Sequence, residues 1–253
     1  FDLTGWTRIT ATGADAAAFL QKFCTNDLLK SLADGHAGCE AFFTSERARV
    51  LGHGWLLRGA GDTGTVEFVG TPGQAEGLLA HLPKYALMED VEFADATGQP
   101  LWFETTEEAW PTGDPLEHGS FQFSPVPAGA IPLTESARIV AKLPLIGTDL
   151  TDTHLCVEAD RPWAICYTKG CYLGQEPVAR IRALGKVNKL QRGFRLPPDS
   201  PPPQGDAKAL GEDGKEVGFL TSAADRFGLG FLKRRYVESG GAVTVEGMPA
   251  EVF

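Results

Sequence analysis

Apolar positions recur at helical spacing over residues 14–23, with Ala17, Leu20 and Phe23 on one face, and predict a short amphipathic helix. The runs RVLGHGWLL (49–57) and GTVEFVG (64–70) predict two strands, joined by the turn-rich RGAGD at 58–62. Thr71-Pro72-Gly73-Gln74 has the form of a capping box, with Thr71 as cap, Pro72 in the first helical position and Gln74 reaching back. A helix to about Leu82 is expected after it, and VEFAD (91–95) is then another strand. Strand, strand, helix, strand predicts an α+β sandwich of ferredoxin-like type.

Residues 111–132 are rich in Pro and Gly and predict a loop. The sequence GQEP (174–177) reads as a helix start, because proline is tolerated only in the first turn and Glu176 complements the positive end of the helix dipole. Val178, Ile181 and Leu184 form an apolar stripe along that helix, and Gly185 ends it. PPDSPPPQGD (197–206) is a second break. Beyond it EVGFLTS, FGLGFL and AVTVEG are short strands between polar turns, the pattern of a small β-barrel. The division expected is an α+β region of two lobes over 1–190 and a barrel over 191–253.

The 253 residues carry a net charge of −10, which argues against general nucleic-acid binding. Between Lys169 and Arg195, however, seven cations (Lys169, Arg180, Arg182, Lys186, Lys189, Arg192, Arg195) face one acid, Glu176. Such a run is either a solvated face or a site for a small anion on an otherwise acidic protein. No apolar run reaches the length of a membrane helix, so no membrane partner is expected. There is no signal-peptide pattern, and the first residue, Phe1, implies that a few residues precede it in the full chain. A cytoplasmic location is expected, with organellar targeting left open.

The five cysteines, Cys24, Cys39, Cys156, Cys166 and Cys171, are odd in number and match no metal-ligand spacing. Free thiols in a reducing compartment and no permanently bound metal are expected. Cys171 stands out within KGCYLGQE (169–176). It lies beside Lys169 and just ahead of the helix start, two features that favour a thiolate. Gly170 and Gly174 permit close backbone approach or positive φ, and Tyr172 offers a ring to pack and a hydroxyl to pair. The alternative is a buried structural cysteine in a turn.

KGCYLGQE followed by VARI closely resembles the signature of the YgfZ-type proteins, in the superfamily of the glycine-cleavage T-protein, an aminomethyltransferase. ATGADAAAFLQKFCTNDL, LPKYALMEDVEFAD, ARIVAKLPLIGTDL, VEADRPWAI, VGFLTSA and FGLGFLKRRY are similar to further segments of that family. The resemblance implies a T-protein-like three-lobed fold, two interleaved ferredoxin-like lobes plus a C-terminal β-barrel, around a central folate site. It implies assembly or repair of iron–sulfur clusters through Cys171, with iron–sulfur client enzymes or assembly proteins as partners. Lys169, Gly170, Tyr172, Gly174, Gln175, Glu176, Arg180 and Arg138 are the accompanying motif and cofactor-binding residues.

Two departures qualify the resemblance. The T-protein has an aspartate pair where Gly52 and His53 stand here, so aminomethyl transfer is not expected, and His53 is either a surface or strand histidine or a catalytic one. The folate-binding members have R-x-E-A-G where this chain has Arg138-Ile139-Val140-Ala141-Lys142. Val140 cannot accept the hydrogen bonds that a glutamate takes from a pterin edge, so tetrahydrofolate is expected to bind weakly. A folate-dependent one-carbon transferase and a folate-independent anion-binding module on the same scaffold remain as alternatives.

Overall fold

The computed structural model describes residues 1–59, 64–185 and 187–253. Residues 60–62 of the RGAGD turn, and Lys186, lie outside the described residues. The first lobe is a five-stranded antiparallel sheet in the order β2-β3-β4-β1-β5. Its strands are β1 (Thr7–Thr12), β2 (Gly38–Thr44), β3 (Val50–Arg58), β4 (Thr65–Gly70) and β5 (Glu92–Asp95). Helices α1 (Ala16–Gln21), α2 (Leu28–Ala33) and α3 (Ala75–His81) accompany it. Ile9, Phe19, Leu20, Phe43, Leu56, Phe68 and Leu78 fill the core on one face of the sheet.

The capping box is corrected. The Thr71 hydroxyl donates to the Pro144 carbonyl at 2.9 Å, and α3 starts later, with Gln74 as its N-cap residue. The Gln74 amide reaches back to the Thr71 carbonyl at 3.0 Å and also clasps the backbone N–H and carbonyl of His53. A tertiary partner thus replaced the local one.

The stretch 111–132 is not loop throughout. Strand β7 (Gly119–Gln122) pairs with β6 (Trp102–Thr105), because Phe103 and Phe121 bury against Trp6, Trp55 and Trp110. This second lobe also holds α4 (Glu135–Val140), whose N-cap Thr134 hydroxyl accepts from the Ala137 N–H.

Helix α5 spans Gln175–Leu184 between two left-handed residues, Gly174 and Gly185, as the glycine spacing predicted. Of its expected stripe only Val178 enters a core; Ile181 is half-buried and Leu184 is exposed. The closed barrel has the order β10-β11-β8-β13-β12-β9. Its strands are β8 (Lys189–Arg195), β9 (Lys208–Gly211), β10 (Glu216–Ala224), β11 (Phe227–Lys233), β12 (Val243–Val245) and β13 (Met248–Val252), with α6 (Arg234–Ser239) between β11 and β12. Phe42, Val50, Leu150, Cys156, Ile165 and Phe231 join barrel to sheet.

Candidate functional site

The signature loop is anchored by its ends. The Lys169 side chain is buried, and its Nζ donates to the carbonyls of Gln21, Cys24 and Asn26, each at 2.7 Å. These carbonyls follow the C-terminus of α1, where a cation is favoured. The Leu173 N–H donates to the Lys22 carbonyl at 2.9 Å, and the Thr44 hydroxyl to the Leu173 carbonyl at 2.7 Å. Gly174 has φ +85°, and a Cβ there would lie 2.4 Å from the Ser45 carbonyl oxygen, so only glycine fits. Tyr172 is buried, and burial raises its phenol well above the usual range.

Between these anchors Cys171 is exposed, as is Gly170. The expected pairing of Cys171 with Lys169 is corrected: the ammonium points inward, 3.6 Å from the Cys24 sulfur. Among the five thiols Cys24, Cys39 and Cys156 are buried and Cys166 is half-buried. Burial raises the three buried thiols, Cys156 to about 12.

Other sequence candidates lie apart. Glu176 is exposed and pairs with Arg180 at 2.6 Å, one turn on. Gln175 donates its N–H to the Tyr172 carbonyl at 3.1 Å. The cofactor-binding expectation for Arg138 is corrected: its buried guanidinium is fully engaged. It contacts Asp149 at 2.8 Å, Glu135, and the Leu143 carbonyl. Asp149 in turn accepts from Ser222 of the barrel at 2.7 Å, so Arg138 ties α4 to β10. The basic run does not converge either. Arg182 lies over Tyr167, Lys189 over Phe231, Arg192 pairs with Asp160, and Arg195 with Glu251.

A second constellation lies inside the molecule. Glu40 on β2 and His53 on β3 are diagonal neighbours on one sheet face, since Glu40 is opposite Trp55 and Phe42 opposite His53. Both are buried, and His53 Nε2 lies 2.7 Å from Glu40 Oε1. His53 is therefore not a surface histidine. Glu40 also accepts from Arg161 Nε, from Arg161 Nη2 at 2.9 Å and from Trp163 Nε1 at 2.8 Å. Burial pushes the Glu40 carboxyl up, but the charge and hydrogen bonds of Arg161, helped by His53, outweigh it and hold it at about 2. Burial lowers His53, against the pull of Glu40.

Two cavities flank this constellation. One, of about 380 Å³, is lined by Cys39, Cys166, Asp114, Asn26 and Lys30 among others. Burial raises Asp114 there to about 6, and the charges of Glu40 and Glu117 add to the shift. The other, of about 460 Å³, lies between the second lobe and the barrel, against Val140, Lys142, Arg161, Trp163, Gln191 and Phe253. That volume suits a small-molecule ligand. Val140, the position of the missing glutamate, thus does face a cavity. Among the described residues no cluster of three His, Cys, Asp or Glu has the geometry to hold a metal.

Residues 184–253 match the family model of the CAF17 C-terminal beta-barrel domain. The barrel is thus of the CAF17 C-terminal type. The whole chain is similar to a chloroplastic protein of Arabidopsis thaliana, named provisionally as a transferase, at 26% identity over 96% of this chain and 67% of that protein. A mitochondrial IBA57 homologue of Neosartorya fischeri, named an iron–sulfur cluster assembly factor, is 24% identical over 81% of this chain and 59% of its own length. Glycine cleavage system aminomethyltransferase T from Bartonella henselae superposes with a TM-score of 0.72 over 99% of this chain and 83% of that one, at 18% identity. The CAF17-type barrel is therefore carried on an α+β T-protein-like fold.

Glu40, Arg161, Trp163 and Gln191 are missed by the sequence reading. Glu40 left a trace, an acid inside the apolar run CEAFF. Gln191 left none, because a glutamine in a strand next to an arginine reads as surface.

Proposed function

We propose that this chain supports assembly or repair of iron–sulfur clusters in client enzymes through the Cys171 thiol. The observation that carries the reading is that Cys171 alone among the five cysteines is exposed, on a loop tip fixed by Lys169 on one side and Gly174 on the other. The similarity to a named iron–sulfur cluster assembly factor supports the same class. An exposed cysteine sulfur is a soft donor that can take one ligand position on iron of a cluster held by a partner protein, the cluster being cargo. The partners on this reading are client enzymes or assembly proteins, in a reducing compartment of the cytoplasm or of an organelle. The relatives named mitochondrial and chloroplastic favour the organelle.

Tetrahydrofolate is the ligand proposed for the interlobe cavity, bound weakly. The residues fit it in part: Trp163 offers a ring face and Lys142 a charge for an anionic tail, while Val140 supplies no acceptor. When bound, folate supplies one-carbon carrier chemistry; the chain's own residues position it and shield it from water. Affinity should rise with the number of glutamates on the folate and fall steeply with salt. We set aside a one-carbon transferase, because Gly52 carries no side chain and His53 is turned to Glu40 inside the lobe.

The test is complementation of cells lacking the native protein. The Cys171→Ala variant, present at the normal level, should fail to restore the activity of iron–sulfur enzymes. Full restoration by that variant overturns the thiol role.

A further inference from the structure

Seven large apolar side chains are exposed among the described residues, and five of them stand on elements that touch the Cys171 loop. Tyr167 precedes Cys171 in the loop itself. Leu29 lies in the first turn of α2, where its N–H donates to Gln21 Oε1 at 3.3 Å, and the Gln21 carbonyl takes the Lys169 ammonium. The other three, Tyr85, Leu87 and Met88, belong to the segment after α3. The Tyr85 ring lies 4.9 Å from that of Phe23, and Glu89 pairs with Lys22 at 3.1 Å. The Lys22 carbonyl in turn accepts from the Leu173 N–H.

The exposure of Leu87, 82%, and of Met88, 94%, is not the slack of a free loop. Before them Ala86 packs against the core of the first lobe. After them Asp90 accepts from the Ala14 N–H at 3.1 Å and donates its own N–H to the Asp15 carboxylate at 2.9 Å. Two adjacent apolar side chains are thus held out in water between fixed ends. Single apolar residues scattered on a surface are ordinary, whereas a cluster of them marks a contact site. Methionine in particular adapts to the shape of what it meets.

The charge around the cluster selects its occupant. Lys22 with Glu89, Lys30 with Asp34, and Arg180 with Glu176 at 2.6 Å are closed ion pairs. The flanks are therefore neutral pair by pair, on a chain of net charge −10. A nucleic acid or an anionic membrane selects a basic patch, which these pairs do not form. A protein with an apolar groove can close over Leu87 and Met88 without stranding a charge. We infer that Leu87 and Met88 anchor the protein that holds the cluster, with Leu29, Tyr85 and Tyr167 completing a contact that sets the cluster opposite Cys171. The identity of this partner rests on the proposed role of Cys171, but the docking contact itself does not need the thiol.

The test uses the full chain, expressed at the normal level in cells lacking the native protein. Leu87→Ser/Met88→Ser should melt as the parent does and keep its rate of Cys171 alkylation, because both side chains are already in water. It should nonetheless restore no more than about a tenth of the activity of iron–sulfur enzymes. Ile131→Ser, at an exposed apolar position on the segment leading to α4, should restore that activity fully. Full restoration by the double variant, or equal failure of Ile131→Ser, overturns the docking site. Failure of the double variant alongside full restoration by Cys171→Ala keeps the docking site and removes the thiol role. In the same cells benzoylphenylalanine in place of Tyr85 should, on irradiation, form an adduct with a protein that mass spectrometry identifies as one binding an iron–sulfur cluster. The adduct should persist with Cys171→Ala and be lost with Leu87→Ser/Met88→Ser. No adduct, an adduct only with a second copy of this chain, or sedimentation of the purified chain with phosphatidylcholine–cardiolipin vesicles that the double variant abolishes would each overturn the inference.

Discussion

Lys169 Nζ lies 2.7 Å from the carbonyl oxygen of Cys24, and equally close to those of Gln21 and Asn26. The cation of the signature is thus a strut between the Cys171 loop and the turn after α1. Replacing it by methionine leaves three carbonyls without their donor. Lys169→Met should lower stability by about 2–4 kcal/mol, whereas Cys171→Ala, an exposed change, should stay within about 0.5 kcal/mol. Urea unfolding of the two variants checks this; a Lys169→Met protein as stable as the parent would remove the strut.

Thiol reactivity should follow exposure. Cys171 should be alkylated first at neutral pH, Cys166 more slowly, and Cys24, Cys39 and Cys156 only through opening of the fold. Peptide mass spectrometry after timed iodoacetamide exposure reads the order. Faster labelling of Cys166 or Cys24 would move the site away from the signature loop.

The Glu40–Arg161 pair sets an acid limit on stability. The folded Glu40 pKa of about 2 lies below the ordinary 4.5, so its contribution is fully present above pH 4.5 and is lost as pH falls toward 2. Arg161→Leu should cost about 3–5 kcal/mol at pH 7, because it leaves a buried carboxylate facing only His53 and Trp163. Adding Glu40→Gln should recover part of that loss and flatten the acid limb. If the double variant is as unstable as the single one, the loss comes from packing and not from the stranded charge.

Asp114 works in the opposite direction. Its folded pKa of about 6 lies above the ordinary 3.8, so the folded state holds the proton more tightly. Stability should therefore fall as pH rises from about 4 to 6 and stay lower above that. Asp114 is only half-buried, so solvent screening reduces the cost at pH 7 to about 1 kcal/mol. Asp114→Asn should raise the melting temperature at pH 7 and not at pH 4, and its amide oxygen can still cap the Leu116 N–H that Asp114 holds at 3.1 Å. An equal rise at both pH values would assign the effect to something other than the charge.

Strands β3, β4 and β5, helix α5 with its two glycine ends, and the barrel were all legible in the sequence, because each follows from a local rule. Alternation fixes a strand, and a left-handed glycine closes a helix. What a polar side chain meets across the fold was not legible. The Thr71 hydroxyl left its own helix for Pro144, and Lys169 turned from the adjacent Cys171 to carbonyls more than 140 positions earlier. Strand β7 formed in a Pro- and Gly-rich stretch because Trp55 and Trp110 were there to cover Phe121. Glu40 and Arg161 meet across 121 positions of sequence. The free energy of a buried polar group depends on its partners, and the partners are assigned by packing of whole elements, which no local pattern encodes.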